Sequence, residues 1–134
     1  MEINKIKIGN DFPPFVIGEL SANHGGSISR AKESIKRAAE TGISAIKIQT
    51  YTPDTMTIKS DNPDFFISSG SWAGSTLYDL YKSAFTPFEW HKELFEFAKE
   101  IGITIFSTPF DESAVDLLEE LNTPAYKIAS FEII

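Results

Sequence analysis

The sequence of 134 residues contains no cysteine, only two arginines and no long apolar run. Without cysteine it can form neither a disulfide bond nor a thiolate metal site, which fits a reducing cytoplasm. Its 12 basic residues are scattered among 19 acidic ones, giving a net charge of −7, so no basic stripe is available for nucleic acid. No apolar stretch approaches the roughly 18 residues of a membrane span, and the N-terminal segment alternates polar and apolar residues, unlike a signal peptide. We therefore expect a cytoplasmic protein that binds neither nucleic acid nor a membrane.

Two apolar patterns take turns along the chain. Short continuous apolar runs predict strands, and apolar residues at helical spacing predict helices between them. The predicted strands are 15–20, 45–50, 103–106 and 125–129, and the predicted helices are 29–41, 76–84, 87–101 and 111–121. Thr86 and Glu89 have the spacing of a capping box, with Pro87 at the first helical position. A long loop, 51–75, follows the second strand.

The alternation of strands and helices predicts a parallel sheet. Successive βα units with right-handed crossovers build either a doubly wound sheet or a (β/α) barrel. The count favours the barrel, because the chain holds about four units where a barrel needs about eight. We expect an α/β fold in which residues 1–134 form the N-terminal half of a TIM-type barrel, preceded by an N-terminal β segment.

Polar side chains follow every predicted strand. Because the carboxyl ends of parallel strands meet at one edge of the sheet, these groups should converge there. In the second strand Lys47 and Gln49 are two residues apart and so share a face. The groups are Glu19, Ser21, Asn23 and His24 after the first strand, Lys47 and Gln49 on the second, Ser107 and Thr108 after the third, and Lys127 and Ser130 on and after the fourth.

The two lysines indicate an anion site. Lys47 lies in "AIKIQT", a strand with a buried pattern, and Lys127 occupies a similar register in "YKIAS". An interior ammonium group is costly unless it is paired, and interior lysines therefore need an anion. The alternative is that Lys47 snorkels from an edge strand, but the second lysine at the same edge favours a shared ligand.

The other groups have structural alternatives. Glu19 is either a functional carboxylate or only the salt-bridge partner of a lysine. His24 and Asn23 are also typical of a hydrogen-bonded turn. Asp111 is a better helix N-cap than Ser107 or Thr108, which leaves those hydroxyls for a ligand.

Two further regions carry expectations. We expect His91 to lie on the surface of its helix. The loop 51–75 is longer than a βα connection requires, and we expect Phe65, Phe66 or Trp72 in it to shape a substrate pocket.

Four separated motifs carry a family resemblance. "GELSANHGGS", "AIKIQTYTPDTMT", "FSTPF" and "PAYKIAS" together resemble the N-terminal half of the sialic acid synthase family, whose members condense phosphoenolpyruvate with an N-acylated sugar aldehyde. Two further stretches, "GSWAGSTLYDLYKSAFTPFEWH" and "KIASFEI", are similar to the pseudaminic acid synthase branch. Ala129 and Phe131 stand where the N-acetylneuraminate branch is expected to have glycines.

The resemblance implies roles for residues of this chain. It places Glu19, Lys47 and Lys127 in catalysis, with Glu19 near the sugar and the attacking water. The lysines would form a cradle for phosphoenolpyruvate, and the chemistry would let Asn23 and His24 hold sugar oxygens. The substrate-binding residues it implies are Asn23, His24, Gln49, Thr108 and Ser130.

The resemblance also implies partners that lie outside these residues. A divalent metal, Mn²⁺ or Mg²⁺, would be held by histidines of later strands, and a C-terminal antifreeze-like domain would reach the partner subunit of a homodimer. The expected reaction joins phosphoenolpyruvate to a diacetamido-trideoxy hexose, releases phosphate and makes a nine-carbon sugar. The alternatives are an N-acetylneuraminate synthase acting on N-acetylmannosamine, a Schiff-base aldolase on the same barrel, and an inactive fragment.

Overall fold

The computed structural model describes residues 1–133 and contains five strands and five α-helices in that range. The strands are β1 (Glu2–Ile3), β2 (Ile6–Lys7), β3 (Ile17–Glu19), β4 (Ala45–Thr50) and β5 (Thr104–Pro109). The helices are α1 (Ile28–Glu40), α2 (Pro53–Met56), α3 (Leu77–Ala84), α4 (Phe88–Ile101) and α5 (Glu112–Glu120). Single 3₁₀ turns occupy Pro63–Phe65 and Ser130–Glu132. No helix within this range has the length and apolar character needed to cross a membrane.

Three strands form a parallel sheet in the order β3-β4-β5. The register places Glu19 beside Lys47, Lys47 beside Phe106, and Gln49 beside Thr108. Helix α1 connects β3 to β4, while α4 precedes β5. The prediction of parallel βα units is thus confirmed.

An antiparallel pair, β1 and β2, precedes this sheet and confirms the N-terminal β segment. Asn4 and Lys5 connect the two strands with positive φ angles of 48° and 67°. A two-residue turn with this handedness matches the twist of a hairpin. The Asn4 side chain also donates to the Thr104 hydroxyl at 3.0 Å, which ties the hairpin to the amino end of β5.

The core lies on one face of the parallel sheet. Alternate residues of β4 point to opposite faces, so Ile46 and Ile48 pack against α1 and α4. The buried cluster consists of Leu20, Ala31, Ile35, Ile46, Ile48, Leu94, Ala98, Ile103 and Ile105. Each large aliphatic side chain in it contributes about 1.5–3 kcal/mol through burial. The opposite face carries Ala45, Lys47 and Gln49, and this packing fixes the direction in which Lys47 points.

The predicted fourth strand, 125–129, is wrong as a strand. Tyr126 forms a single parallel bridge with Ser107, and the Lys127 amide donates to the Ser107 carbonyl at 3.1 Å. Ile128 is 54% exposed, so little apolar burial stabilises an extended ladder here. The segment nevertheless runs beside the carboxyl half of β5.

The bounds of two other strands also differ from the prediction. β3 covers only 17–19, the residues that pair with 45–47 of β4, and one of its edges has no neighbour among the described residues. β5 extends through Ser107 and Thr108 to Pro109, since these residues pair with Ile48, Gln49 and Thr50 of β4. The longer β5 brings Thr108 into the sheet.

The predicted capping box at Thr86 is wrong. Pro87 is the N-cap of α4, with no side-chain cap hydrogen bond, and the Thr86 hydroxyl instead lies 3.4 Å from His24 Nε2. Gly102 ends the helix with φ of 78°, a conformation that favours glycine. Asp111 caps α5 as predicted, because its Oδ1 accepts from the Ala114 amide at 2.9 Å.

Candidate active site

A cleft of about 290 Å³ opens at the carboxyl end of the parallel strands. It is lined by Glu19, Lys47, Gln49, Met56, Tyr81, Thr108, Phe110, Lys127, Ala129 and Ser130. Six of the eight site residues predicted from the sequence are in this lining. A larger cavity of about 520 Å³ lies near Asn4 and Thr104, at the amino end of β5. In parallel α/β folds ligands bind at the carboxyl ends of strands, so the smaller cleft is the candidate site.

Lys47 lies at the base of the cleft. Its residue is only 8% exposed, and its Nζ donates to Glu19 Oε1 at 2.5 Å and to Thr108 Oγ1 at 3.4 Å. The Glu19 side chain is 49% exposed, so water screens the pair and its contribution to stability is small. The arrangement holds an ammonium group and a carboxylate together at the edge of an open volume, where both can reach a ligand.

Gln49 and Thr108 extend the polar surface from β4 to β5. The Ser21 hydroxyl donates to Gln49 Oε1 at 2.6 Å, which leaves the amide nitrogen of Gln49 as the donor end of the side chain. Ser21 has a positive φ of 49°, a strained conformation for a non-glycine residue. Thr108 faces the cleft, whereas its neighbour Ser107 points to the helices. Of the Ser-Thr pair predicted for ligand binding, only Thr108 is at the cleft.

Lys127 and Ser130 line the cleft beyond β5. Both are on a segment tethered to the sheet by the Lys127 amide and the Ser107 carbonyl, and Ser130 starts the 3₁₀ turn Ser130–Glu132. Both residues are exposed, unlike Lys47. Two ammonium groups therefore border one cleft, although the second is not on a strand.

His24 and Asn23 are not in the lining of the cleft. His24 is 1% exposed, its Nδ1 accepts from the Gly26 amide at 3.1 Å, and its ring meets Trp90 edge-on at 5.4 Å. Burial lowers the pKa of His24, opposed by a backbone hydrogen bond with Ala84. These are the contacts of a turn histidine. A role for either residue in holding the sugar stays a prediction.

His91 is buried, so the expectation that it lies on the surface is wrong. It has no exposed surface, and it contacts the hydroxyl of Thr50 and the carbonyl of Pro87. The helical spacing with Leu94 and Ala98, three and seven residues later, places His91 on the buried stripe of α4. The spacing alone would have predicted the burial of His91, but its polar side chain suggested a surface position.

An apolar wall of Met56, Tyr81 and Phe110 closes one side of the cleft. Tyr51 is buried behind it and meets the rings of Tyr81 and Phe110 edge-on, at 5.8 and 5.6 Å. Burial, with a smaller effect of Tyr81, raises the pKa of Tyr51 to about 12, so its hydroxyl stays neutral. Sequence reasoning missed this wall, because nothing in the loop pattern shows that α3 turns back over the strand ends. Phe65, Phe66 and Trp72 are not among the lining residues.

The described residues do not fit a divalent metal. Across residues 1–133, no three of the histidines, aspartates and glutamates come together as a ligand group. The carboxylate among the lining residues, Glu19, is paired with Lys47. A metal would need ligands from elsewhere.

A parallel α/β sheet with a lysine-bordered cleft at its carboxyl edge is the arrangement of a doubly wound sheet or of part of a (β/α) barrel. The family model described as NeuB family matches residues 34–134. The chain therefore belongs to the NeuB family, and the resemblance to sialic acid synthases read from its motifs is confirmed.

Similar proteins agree with this assignment. The chain is 52% identical over 130 residues to a pseudaminic acid synthase of Campylobacter jejuni, covering 95% of this chain and 38% of that protein. It is 50% identical over 122 residues to a pseudaminic acid synthase of Helicobacter pylori, covering 91% and 36%. A crystal structure of an N-acetylneuraminic acid synthetase from Leptospira borgpetersenii in complex with citrate superposes with a TM-score of 0.81 at 30% identity, covering 99% of this chain and 42% of that one. The chain thus spans less than two fifths of the length of these two curated relatives. The likeness to the solved structure confirms the predicted fold class, the N-terminal half of a TIM-type barrel.

Proposed function

We propose that this chain supplies the phosphoenolpyruvate-binding part of a pseudaminic acid synthase. The proposed reaction condenses phosphoenolpyruvate with a diacetamido-trideoxy hexose, releases phosphate and forms a nine-carbon sugar acid. The observation that carries the proposal is the convergence of Lys47 and Lys127 on one cleft, beside Gln49, Thr108 and Ser130. The similarity to pseudaminic acid synthases supports the choice of sugar.

The lining suits an anion with several charges. Phosphoenolpyruvate carries a phosphate and a carboxylate, and each can accept charge-assisted hydrogen bonds, which are about twice as strong as neutral ones. Lys47 and Lys127 would neutralise the two groups, while Thr108 and Ser130 donate hydroxyl hydrogens and Gln49 donates from its amide. Because Lys47 is already oriented by Glu19 and Thr108, little reorganisation is needed when the anion binds.

The proposed reaction has three steps, and Glu19 would take part where water adds. C3 of phosphoenolpyruvate attacks the aldehyde carbon, a C–C bond forms, and the aldehyde oxygen takes up a proton. Positive charge then develops at C2, where water adds. The tetrahedral intermediate expels phosphate by cleavage of the bond between C2 and the bridging oxygen. In this proposal Glu19 would stabilise the charge at C2 or accept a proton from the water, as a general base does.

Three further elements belong to the proposal. A divalent cation, Mn²⁺ or Mg²⁺, would be held by ligands outside residues 1–133. The functional enzyme would be a homodimer in the cytoplasm. The antifreeze-like domain implied by the resemblance would also lie outside this chain.

The test is a substrate panel on the protein that contains this chain with the rest of its barrel. Phosphate release from phosphoenolpyruvate is measured with a diacetamido-trideoxy hexose and, as the matched control, with N-acetylmannosamine. The proposal predicts preference for the diacetamido sugar. Preference for N-acetylmannosamine would reassign the chain to N-acetylneuraminate synthesis, and trapping of pyruvate on Lys47 or Lys127 by borohydride would indicate a Schiff-base aldolase instead.

A further inference from the structure

A chain of buried polar groups lies behind the cleft, between the sheet and α4. Ser107 Oγ is 2.6 Å from Thr50 Oγ1, and Thr50 Oγ1 is 2.8 Å from His91 Nε2. All three residues have no exposed surface. The proposed reaction uses none of them. Buried polar groups in such a network lower stability unless all their hydrogen bonds are made. Their presence behind the cleft therefore suggests a role other than packing.

The bonds of the network have one direction. His91 Nδ1 is 3.0 Å from the Pro87 carbonyl, and because a carbonyl only accepts, Nδ1 carries the proton. In a neutral imidazole Nε2 then accepts from the Thr50 hydroxyl, and the Thr50 oxygen accepts from the Ser107 hydroxyl. Burial lowers the pKa of His91, which agrees with the neutral form. The bonds thus run from β5 through β4 to the first turn of α4.

Two members of the network are each adjacent to a cleft residue. Thr50 follows Gln49, and Ser107 precedes Thr108, so in each strand one side chain points to the helices and the next to the cleft. The Ser107 carbonyl also accepts from the Lys127 amide at 3.1 Å. Fixing Ser107 through its hydroxyl therefore fixes the backbone atom to which the Lys127 segment is tethered.

We propose that Thr50, Ser107 and His91 are positioning residues of the cleft. They hold the carboxyl ends of β4 and β5 at one separation and anchor both to α4, and this sets the positions of Gln49, Thr108 and Lys127 around the bound anion. The identity of that anion rests on the proposed function, whereas the positioning does not.

Thr50→Val is the main test, because valine keeps the shape of threonine and removes the hydroxyl at the centre of the network. Thr50→Ser restores the hydroxyl. Thr104→Val is the matched control. Thr104 is a buried threonine of β5, and this substitution also removes one hydrogen bond, the one from Asn4, but at the other end of the sheet.

In the protein that contains the rest of the barrel, we expect Thr50→Val to raise KM for phosphoenolpyruvate about tenfold, the scale of one buried hydrogen bond, with a smaller change in kcat. Thr50→Ser and Thr104→Val should stay within about twofold of the unmodified protein. Equal KM values for Thr50→Val and Thr104→Val would overturn the proposal.

Hydrogen exchange of the Lys127 amide, without substrate, tests positioning independently of the reaction. Exchange should be about tenfold faster in Thr50→Val and unchanged in Thr104→Val. If the unmodified protein does not use phosphoenolpyruvate, the proposed function fails and the exchange result alone decides the positioning role. If Thr50→Val does not fold, Ser107→Ala replaces it in both measurements. Unchanged exchange at Lys127 in the folded variant overturns the inference.

Discussion

Lys47 shows how a buried lysine is accommodated. Its aliphatic stem lies within the sheet between buried neighbours, and its ammonium group bonds to Glu19 and Thr108 at the edge of the cleft. The partner carboxylate is half exposed, so the pair is not sealed from solvent. An entering anion can therefore contact the ammonium without first breaking a desolvated ion pair, which would be expensive.

Removal of either cleft lysine should weaken the use of phosphoenolpyruvate. Lys47→Ala or Lys127→Ala deletes one charged hydrogen bond, a loss of about 1.5–3 kcal/mol, so kcat/KM should fall by at least about tenfold. Steady-state kinetics on the protein with its complete barrel measures this. Lys36→Ala, on the exposed face of α1, is the control and should change nothing. Unchanged kinetics in both cleft variants would remove the lysines from the site.

The two buried histidines should make stability depend on pH. Burial lowers the pKa of both His24 and His91, so below about pH 6.5 the unfolded chain binds protons that the folded chain does not. Stability is therefore full above that pH and is lost as the pH falls toward the lowered values. The melting temperature should drop between pH 7.5 and 5.5. His91→Gln should make this drop shallower without abolishing it, and an equally steep drop would contradict the account.

At the level of residues, the alternation of side chains along a strand was enough to predict which face of the sheet each residue occupies. In "AIKIQT" the period of two correctly put Lys47 and Gln49 on the face away from the core. The helical spacing of His91 with Leu94 and Ala98 also indicated that His91 is buried. The prediction of a surface position relied on the polar side chain instead of on this spacing. The hydroxyl contacts of Thr50 depend on tertiary packing and have no local signal.

At the level of elements, α5 offers a direct test of helix capping. Asp111 Oδ1 accepts from the Ala114 amide at 2.9 Å and from the Ser113 hydroxyl at 2.5 Å. Asp111→Ala should lower the free energy of unfolding by about 0.5–2 kcal/mol, measured by denaturant unfolding. Asp116→Ala, on the exposed side of the same helix, should have a much smaller effect. Equal effects of the two substitutions would show that the cap does not stabilise α5.

Helix α3 contributes the apolar wall, and Tyr81 is its contact with the cleft. If this wall packs against the deoxy and acetamido groups of the sugar, Tyr81→Ala should raise KM for the sugar about tenfold, the scale of losing part of an aromatic contact. KM for phosphoenolpyruvate should change less. Tyr78→Ala is the control, because Tyr78 bonds to Asp54 and is not in the lining. A larger effect on phosphoenolpyruvate than on the sugar would contradict this role.

Elements that bury an apolar face were predicted correctly, whereas the segment 125–129, which buries little, was wrongly predicted as a strand. Strand β4 and helices α1, α4 and α5 lie within one or two residues of their predicted bounds because each buries apolar side chains. Residues 125–129 have strand-like composition, yet only Tyr126 pairs with the sheet. Ile128 is exposed, so little apolar burial stabilises a longer ladder there, and sequence composition alone does not show this.

At the level of the whole molecule, the sheet has open edges. Among residues 1–133, β3 pairs only with β4, and Val16, Ile17 and Ile128 are exposed apolar residues near the two edges. Such edges favour association with another chain. Residues 1–134 expressed alone should therefore sediment as species larger than a monomer and release no phosphate from phosphoenolpyruvate with sugar and Mn²⁺. The protein with the rest of its barrel is the positive control, and turnover by the isolated 134 residues would contradict this prediction.

The central claim is that one phosphoenolpyruvate molecule bridges Lys47 and Lys127. A crystal structure of the protein with its complete barrel and bound phosphoenolpyruvate tests it most directly. We expect the phosphate and the carboxylate to lie within about 3 Å of the two Nζ atoms, the length of a charge-assisted hydrogen bond, with Glu19 next to C2. Phosphoenolpyruvate bound outside the cleft, or pyruvate joined covalently to either lysine, would contradict the account.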